Sequence, residues 1–343
     1  MKIVHCFFSF NVGGAESMLV DIMNEQAKDN DITLLILNKS YSDYLLSTIN
    51  KKVKIKILNR ENGSKSILPI VKLNYYIWKL NPEVVHLHSF SLVRAIKIPK
   101  SKLYFTAHCL DIPNTYFHKF NKIFAISKAV ENDIHNKGND NVKLISNGID
   151  IAKVKAKSNY NPKEIFKIVQ VGSLICPIKG QDILIRSLSV IIHQYGIFNI
   201  TIDFIGAGDS LAELEQLAKK LNVEKNIYFL GLRDRDYIYS HLCEYDLMCH
   251  PSRNEGFGLT VVEGMVAKLP VLVATGDGPF EIIGKGEYGY YFQRENIEDC
   301  AAKIVDIYRN YHERSCMVKN AYLHIAENYS VQKTAQKYLE EYK

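Results

Sequence analysis

The chain has 343 residues, 47% hydrophobic and 23% charged, which excludes wholesale disorder and is enough for two α/β domains, each with its own core. No stretch approaches the roughly 18 consecutive apolar residues of a membrane-spanning helix, and nothing resembles a nucleic-acid-binding motif. The net charge of +6 is unevenly placed: residues 1–150 carry 20 Lys/Arg against 13 Asp/Glu, and the rest 23 against 24. A basic first half suits a surface that meets anionic lipid or an anionic acceptor, and it equally suits solvated lysines. Seven cysteines without a Cys-x-x-Cys pair fit the reduced thiols of a cytoplasmic protein.

In chain order, the opening MKIVHCFFSFNVGGAE reads as a first strand (2–8) rather than a signal peptide, because no small-residue cleavage site follows its short apolar run. Met18, Leu19, Ile22 and Met23 then line one face of a helix. Further apolar, β-branched runs at 31–37, 53–58, 84–88, 103–107, 122–126 and 142–146 predict strands, with Ser127 capping a helix that Gly138 ends. The polar stretch 152–164, with its Asn-Pro, reads as an interdomain linker. A second series follows at 166–173, 199–206, 226–231, 245–252 and 269–275, and 330–343 forms a helix with Val331, Ala335, Tyr338 and Leu339 on one side. Strands alternating with helices throughout predict two doubly wound, Rossmann-like α/β domains with a cleft between them, binding ligands at the carboxyl ends of their strands.

The segment PSRNEGFGLTVVEGMVAKLPVLVAT (251–275) carries the most chemistry. A strand ends, a glycine-rich turn follows, and a helix begins near Gly258, so unpaired amides and a positive dipole end face an incoming phosphate. Gly256 and Gly258 let the backbone approach it closely. Glu255 stands on the loop and Glu263 about one and a half turns into the helix, both able to accept hydrogen bonds from sugar and ribose hydroxyls. Cys249-His250 reads as a buried strand end rather than half a zinc site, since no partner pair lies at zinc spacing. Asp234-Arg235-Asp236 matches an Asp-x-Asp metal motif in form, but its place before a helical segment makes Asp234 an N-cap.

This segment resembles the E-x7-E signature of glycosyltransferase family 4, the retaining enzymes of GT-B fold, and the likeness runs along the whole chain. Gly13-Gly14-Ala15-Glu16, VVHLHS (84–89), TAHCLD (106–111), AISKAV (125–130), ISNGID (145–150), VGSL…KG (171–180), IGAGDS (205–210) and the ending 327–342 are similar to the family's ordered markers. The resemblance implies an acceptor-side domain (1–155), a nucleotide-sugar domain (156–326) and a helix (327–343) returning to the first. It implies catalytic roles for His108, Lys179 and Glu255: His108 on the transferred sugar, Lys179 on the diphosphate and Glu255 on the sugar hydroxyls. Donor contacts are implied for Gly13, Gly14, Ser173, Gly256, Phe257, Gly258, Leu259 and, at the ribose, Glu263, with Glu16 and His88 on the acceptor side. It further implies transfer without metal or cofactor from a nucleotide-diphosphate sugar, UDP by base rate, to a glycan or lipid-linked glycan in surface polysaccharide synthesis. The reaction would run on one face, a departing phosphate oxygen taking the acceptor proton.

Two departures stand out. Ser173 occupies a position where the family often has arginine, leaving Lys179 and helix amides to hold the diphosphate, with Arg253 a substitute cation or a rim residue. Asp277-Gly278-Pro279 replaces the commoner double glycine before Glu281. The rival readings are a nucleotide-sugar 2-epimerase and a non-catalytic nucleotide-sugar-binding partner subunit. A Rossmann dehydrogenase is disfavoured, since IGAGDS lacks the third glycine of the dinucleotide fingerprint.

Overall fold

A computed structural model describes residues 1–161 and 164–343. The chain divides into two compact units, one formed by Met1–Asp150 with Ser330–Lys343 and the other by Ile151–Tyr329. Each is a parallel sheet wrapped by helices, and each of the twelve runs expected as strands holds one, to within two residues at either end.

In the first unit the strands are β1 (Lys2–Phe7), β2 (Asp31–Asn38), β3 (Lys54–Arg60), β4 (Val84–Leu87), β5 (Leu103–Ala107), β6 (Lys122–Ala125) and β7 (Val142–Leu144), paired in the order β3-β2-β1-β4-β5-β6-β7. Their near-continuous apolar runs follow from burial on both faces of a parallel sheet: Ile3, Val4, Leu34, Leu35, Val85 and Ile123 are fully buried. The winding reverses between β1 and β4, and the carboxyl ends of those two strands form the switch point where such sheets take ligands. Helix Gly14–Gln26 buries Met18, Leu19, Ile22 and Met23. Ser127 Oγ accepts from Val130 N at 3.2 Å to cap helix Lys128–Asn136, and Gly138 turns with φ +80° just beyond its end.

The last helix, Val331–Glu341, packs on this first sheet. Val331 N donates to Ile149 O at 3.0 Å and Thr334 Oγ1 to Ser146 O at 3.0 Å. Gly148 permits this approach, because a Cβ there would lie 2.6 Å from Ser330 O. The buried face is Val331, Thr334, Ala335 and Tyr338; Leu339 is only partly buried, so threonine takes a place the apolar pattern assigned to leucine.

The second unit pairs β8 (Phe166–Val171), β9 (Ile200–Ile205), β10 (Ile227–Gly231), β11 (Leu247–His250), β12 (Val271–Ala274) and β13 (Tyr290–Phe292) in the order β10-β9-β8-β11-β12-β13, reversing between β8 and β11. Ile168, Leu184, Phe204, Leu247, Leu272, Phe292 and Ile304 anchor its core. Strand β13 escaped the sequence reading, since three residues show no alternation. The stretch expected as a linker is fastened to this unit through its first part. Lys157 is buried, its Nζ donating to Tyr245 O at 2.5 Å and Asp246 Oδ1 at 2.8 Å, and its amide donates to Ala267 O at 2.8 Å. A single buried ion pair 89 residues apart leaves no periodic trace in the sequence. Pro162 and Lys163 of that stretch lie outside the described residues. Asp234 accepts from Tyr237 N at 2.7 Å, so its carboxylate caps helix Arg235–His241.

Candidate functional site

The carboxyl ends of β8 and β11 carry the two segments singled out by sequence. After β8 the chain passes through Gly172 (φ +156°) into the exposed Ser173, whose carbonyl accepts from Gln181 Nε2 at 2.9 Å. The IGAGDS glycines pack on this loop: a Cβ at Gly206 would meet Gly172 O at 1.9 Å, and one at Gly208 would meet Leu174 O at 2.4 Å. A short helix, Cys176–Lys179, follows, and Gly180 then turns with φ +66°. Gly180 lies so close to the end of β11 that a Cβ would stand 2.2 Å from Pro251 O.

That approach brings Lys179 and Glu255 together as an ion pair, each side chain about four-fifths buried. Glu255 Oε2 also lies 3.5 Å from His250 Nε2, the last residue of β11. His250 is oriented by Ser252 Oγ at 3.0 Å from its Nε2 and Thr260 Oγ1 at 3.3 Å from its Nδ1. Burial pushes the Glu255 carboxyl up, but the contact and charge of His250, and then Lys179, more than reverse this and hold it at about 2. It is therefore ionised at any physiological pH.

The loop itself is braced by the unusual Asp277-Gly278-Pro279. Asp277 Oδ2 accepts from Glu255 N at 3.2 Å, and Asp277 Oδ1 pairs with Arg294 Nη2 at 2.9 Å. A Cβ at Gly278 would lie 2.6 Å from Gly256 O, and one at Gly258 (φ +99°) 2.9 Å from Pro279 Cγ. Gly256, Phe257 and Gly258 are buried, with the Phe257 ring 5.8 Å from that of Tyr329, so these residues offer backbone rather than side chain. Leu259 opens helix Leu259–Val266, and the largely buried Glu263 lies on its second turn. Arg253 is committed elsewhere: its guanidinium pairs with Asp182 at 2.8 and 3.0 Å, Glu295 at 2.5 and 3.0 Å, and Cys176 O at 2.9 Å. It clamps the Cys176–Lys179 helix to the β11 loop, which answers the alternative left open for it as a substitute phosphate cation.

In the first unit, Gly13 is the extended N-cap of helix Gly14–Gln26, and a Cβ there would stand 2.5 Å from Glu16 Oε2. Burial raises the Glu16 carboxyl against its own backbone amide. His88 and His108 follow β4 and β5 and join a chain of buried hydrogen bonds. Gln26 Oε1 meets His5 Nε2 at 2.9 Å, His5 Nδ1 meets His88 Nε2 at 3.0 Å, and His88 Nδ1 meets His108 Nε2 at 3.2 Å. His108 Nδ1 is buried without a hydrogen-bond partner. Burial lowers His5, against the pull of Gln26, and His108 to about 4, and drives His86 and His88 well below the ordinary histidine value. In a neutral chain with Gln26 Oε1 accepting, each Nε2 donates onward, which leaves a lone pair on His108 Nδ1.

His5, His86 and His88 bring ring nitrogens within 4.8 Å of one another, a spacing that could admit a metal. Their nitrogens are already engaged: His86 holds Thr106 Oγ1 at 2.7 Å and Tyr342 Oη at 2.5 Å, and the other two bond as above. The set is satisfied as a hydrogen-bonded core, and a metal would have to break it. Sequence reasoning missed His5, His86, Gln26, His250 and the bracing role of Asp277. The alternation in VVHLH puts His86 and His88 on one sheet face, and parallel register sets His5 beside His86, so a register argument would have found two of them.

A family model described as Glycosyltransferase Family 4 matches residues 12–153, and one described as Glycosyl transferases group 1 matches residues 151–324, just over half of the chain. An uncharacterised glycosyltransferase of Methanocaldococcus jannaschii is 28% identical over 215 residues, 61% of this chain and 57% of its own length. The poly(ribitol-phosphate) alpha-N-acetylglucosaminyltransferase of Staphylococcus aureus is 26% identical over 224 residues, 65% of this chain and 44% of its own. The chain thus spans about half the length of these relatives. The Anabaena protein HepE, crystallised with UDP and glucose, superposes with a TM-score of 0.84 at 22% identity over 99% of both chains, which shows a shared two-unit GT-B fold. Two ordered sheets, with paired lysine and glutamate at the switch point of the second, and the match of its family model place this chain among the group 1 glycosyltransferases.

Proposed function

We propose that the chain is a retaining hexosyltransferase that moves a sugar from a UDP-sugar to a glycan or lipid-linked glycan in surface polysaccharide synthesis. The observation that carries the donor site is the meeting of Lys179, Glu255 and the Gly256–Gly258 backbone at the switch point between β8 and β11. The HepE complex with UDP and glucose, and the sugar-transferring Staphylococcus relative, support the donor and the acceptor class.

The difficult event is heterolysis of the anomeric carbon–oxygen bond as negative charge grows on the diphosphate. Lys179, released from Glu255, neutralises that charge together with the first amides of helix Leu259–Val266. Glu255, kept anionic, accepts hydrogen bonds from the transferred sugar's hydroxyls, and Glu263 from the ribose. Ser173 adds no charge, so Lys179 carries the cationic role without a metal. His108 offers the lone pair of Nδ1 to a sugar hydroxyl, while Gly13, Gly14, Glu16 and His88 serve the diphosphate and acceptor end. The acceptor hydroxyl attacks on the face the diphosphate leaves, and its proton passes to a departing phosphate oxygen, so neither glutamate becomes a covalent nucleophile. Free thiols at all seven cysteines suit a cytoplasmic setting.

The test is transfer or slow hydrolysis with a panel of nucleotide-sugars, repeated with EDTA. Lys179→Ala should lower kcat by about 10²–10³, with EDTA leaving the native rate unchanged. Product epimerised without an acceptor, or nucleotide binding with no turnover, would overturn the transferase reading.

A further inference from the structure

Helix Leu68–Leu80 packs on the first sheet through Leu73 and Ile77, which are buried. Its opposite face is apolar too. Trp78 is 77% exposed and Ile67 73%, and Leu68, Val71 and Tyr75 are each more than half exposed. At helical spacing these five share an arc of about 100°, bordered on one side by the exposed Lys72 and Lys79 and preceded by Lys65. The Tyr75 and Trp78 rings lie 6.1 Å apart. Around this stripe the sequence is strongly basic: residues 51–100 hold eleven Lys/Arg and two Asp/Glu.

An exposed stripe of this kind marks a surface meant to be covered. Its composition narrows the cover. Aromatic rings with a lysine border are the pattern of a helix lying in a bilayer interface, with rings at headgroup depth and ammonium groups on phosphates. A second copy of the chain would bring the same lysine border into the contact, and residues 51–100 hold only Glu61 and Glu83 to relieve that repulsion. No helix among the described residues is long and apolar enough to cross a membrane, so attachment by this element would be peripheral.

We propose that the exposed face of helix Leu68–Leu80 docks the first unit on an anionic lipid bilayer, with Ile67, Leu68, Val71, Tyr75 and Trp78 in the interface and Lys65, Lys72 and Lys79 on the headgroups. This deepens the reading of a lipid-linked acceptor, on which its purpose rests, yet the contact itself is independent of turnover.

Trp78 is the single tryptophan of the chain, so its fluorescence reports the docking directly. Adding vesicles of phosphatidylcholine with phosphatidylglycerol to the intact protein should shift its emission to the blue and shield it from an aqueous quencher; vesicles of phosphatidylcholine alone should do far less. In flotation, Lys72→Gln with Lys79→Gln should weaken binding to the anionic vesicles about 20–30-fold. Val71→Ser with Tyr75→Ser should weaken it at least as much, and both variants should keep the native melting temperature and nucleotide binding. Emission and flotation indifferent to lipid charge would overturn the proposal, as would variants that float like the native chain. A concentration-dependent dimer in sedimentation velocity, abolished by Val71→Ser with Tyr75→Ser, would assign the face to self-association instead. Vesicle binding with no transfer activity would leave the docking standing and sink the catalytic reading.

Discussion

Glu255 meets Lys179 before any diphosphate arrives, so donor binding must exchange one anion for another at the same ammonium. That competition separates recognition from catalysis. Glu255→Gln keeps the shape and removes the charge, so UDP should bind as tightly as before or tighter, while kcat falls about 10²–10³ because the sugar hydroxyls face a neutral amide in place of an anionic acceptor. Titration calorimetry with UDP and initial rates with the full donor read the two halves. Since Glu255 titrates at about 2, its ionisation adds no limb to the rate profile at neutral pH. The histidine chain makes a second claim at this scale. His88→Phe keeps an aromatic ring, a somewhat larger one, but strips His108 Nε2 of its partner, so kcat should fall about tenfold with UDP affinity unchanged. His108→Ala added to it should cost less than His108→Ala alone costs the native enzyme, because the two act as one unit. Glu255, Lys179, His88 and His108 were legible because each stands in a local run that the sequence singles out: His88 and His108 just past strand ends, Glu255 in the loop after β11, and Lys179 closing the short helix after β8. Gln26, His5 and Asp277 were not, since their partners lie 20 or more residues away and are brought near only by sheet register and loop packing.

Between elements, the site depends on how closely backbones approach. Gly180 joins the Cys176–Lys179 helix to the next one with φ +66°, and its α-carbon faces Pro251 O with no space for a methyl group. Gly180→Ala therefore combines left-handed strain with a backbone clash, and the loop bearing Lys179 must move away from the loop bearing Glu255. We expect a loss of about 1–3 kcal/mol in urea unfolding and a fall in kcat/KM that exceeds what stability alone explains at temperatures where the variant is folded. Unchanged kcat/KM would mean that the two loops need not touch. Local signals predicted this scale well wherever a helix or strand announces itself: Ser127 and Asp234 cap the helices they precede. They failed where polarity stood in for mobility. Lys157 looked like a solvated linker residue, yet its ammonium is buried against Asp246, and a lysine in that position reads the same in sequence whether it faces water or a carboxylate.

Acid should distinguish the two units of the molecule. The first holds His5, His86, His88 and His108 in and just beyond its central strands, with Tyr338 of the last helix and Tyr342 at its end covering His86. Their folded forms are neutral, and protonation requires a buried charge. An unfolded histidine titrates near 6.5, whereas His5 and His108 in the fold do so at about 4. Above about pH 6.5 neither state binds the proton and stability is flat. As pH falls from there toward 4 the unfolded chain takes up protons that the folded one refuses, and unfolding becomes easier. For His5 alone, a fall from 6.5 to about 4 is worth about 3 kcal/mol once complete, a large share of the 5–15 kcal/mol that ordinarily holds a domain together. In the second unit Glu255 gains its proton only near 2, well outside that window, and His324, which burial also lowers, is only partly buried, so acid acts less on that unit than on four clustered histidines. Calorimetry at about pH 7.5 and about pH 5 should thus show one transition moving down with acid. UDP, if it binds the second unit as proposed, should raise the other. If the two perturbations act on the same transition, the units melt together and the histidine core stabilises the whole chain; if acid moves neither, those histidines are not buried neutral and the directed chain ending at His108 is lost with them.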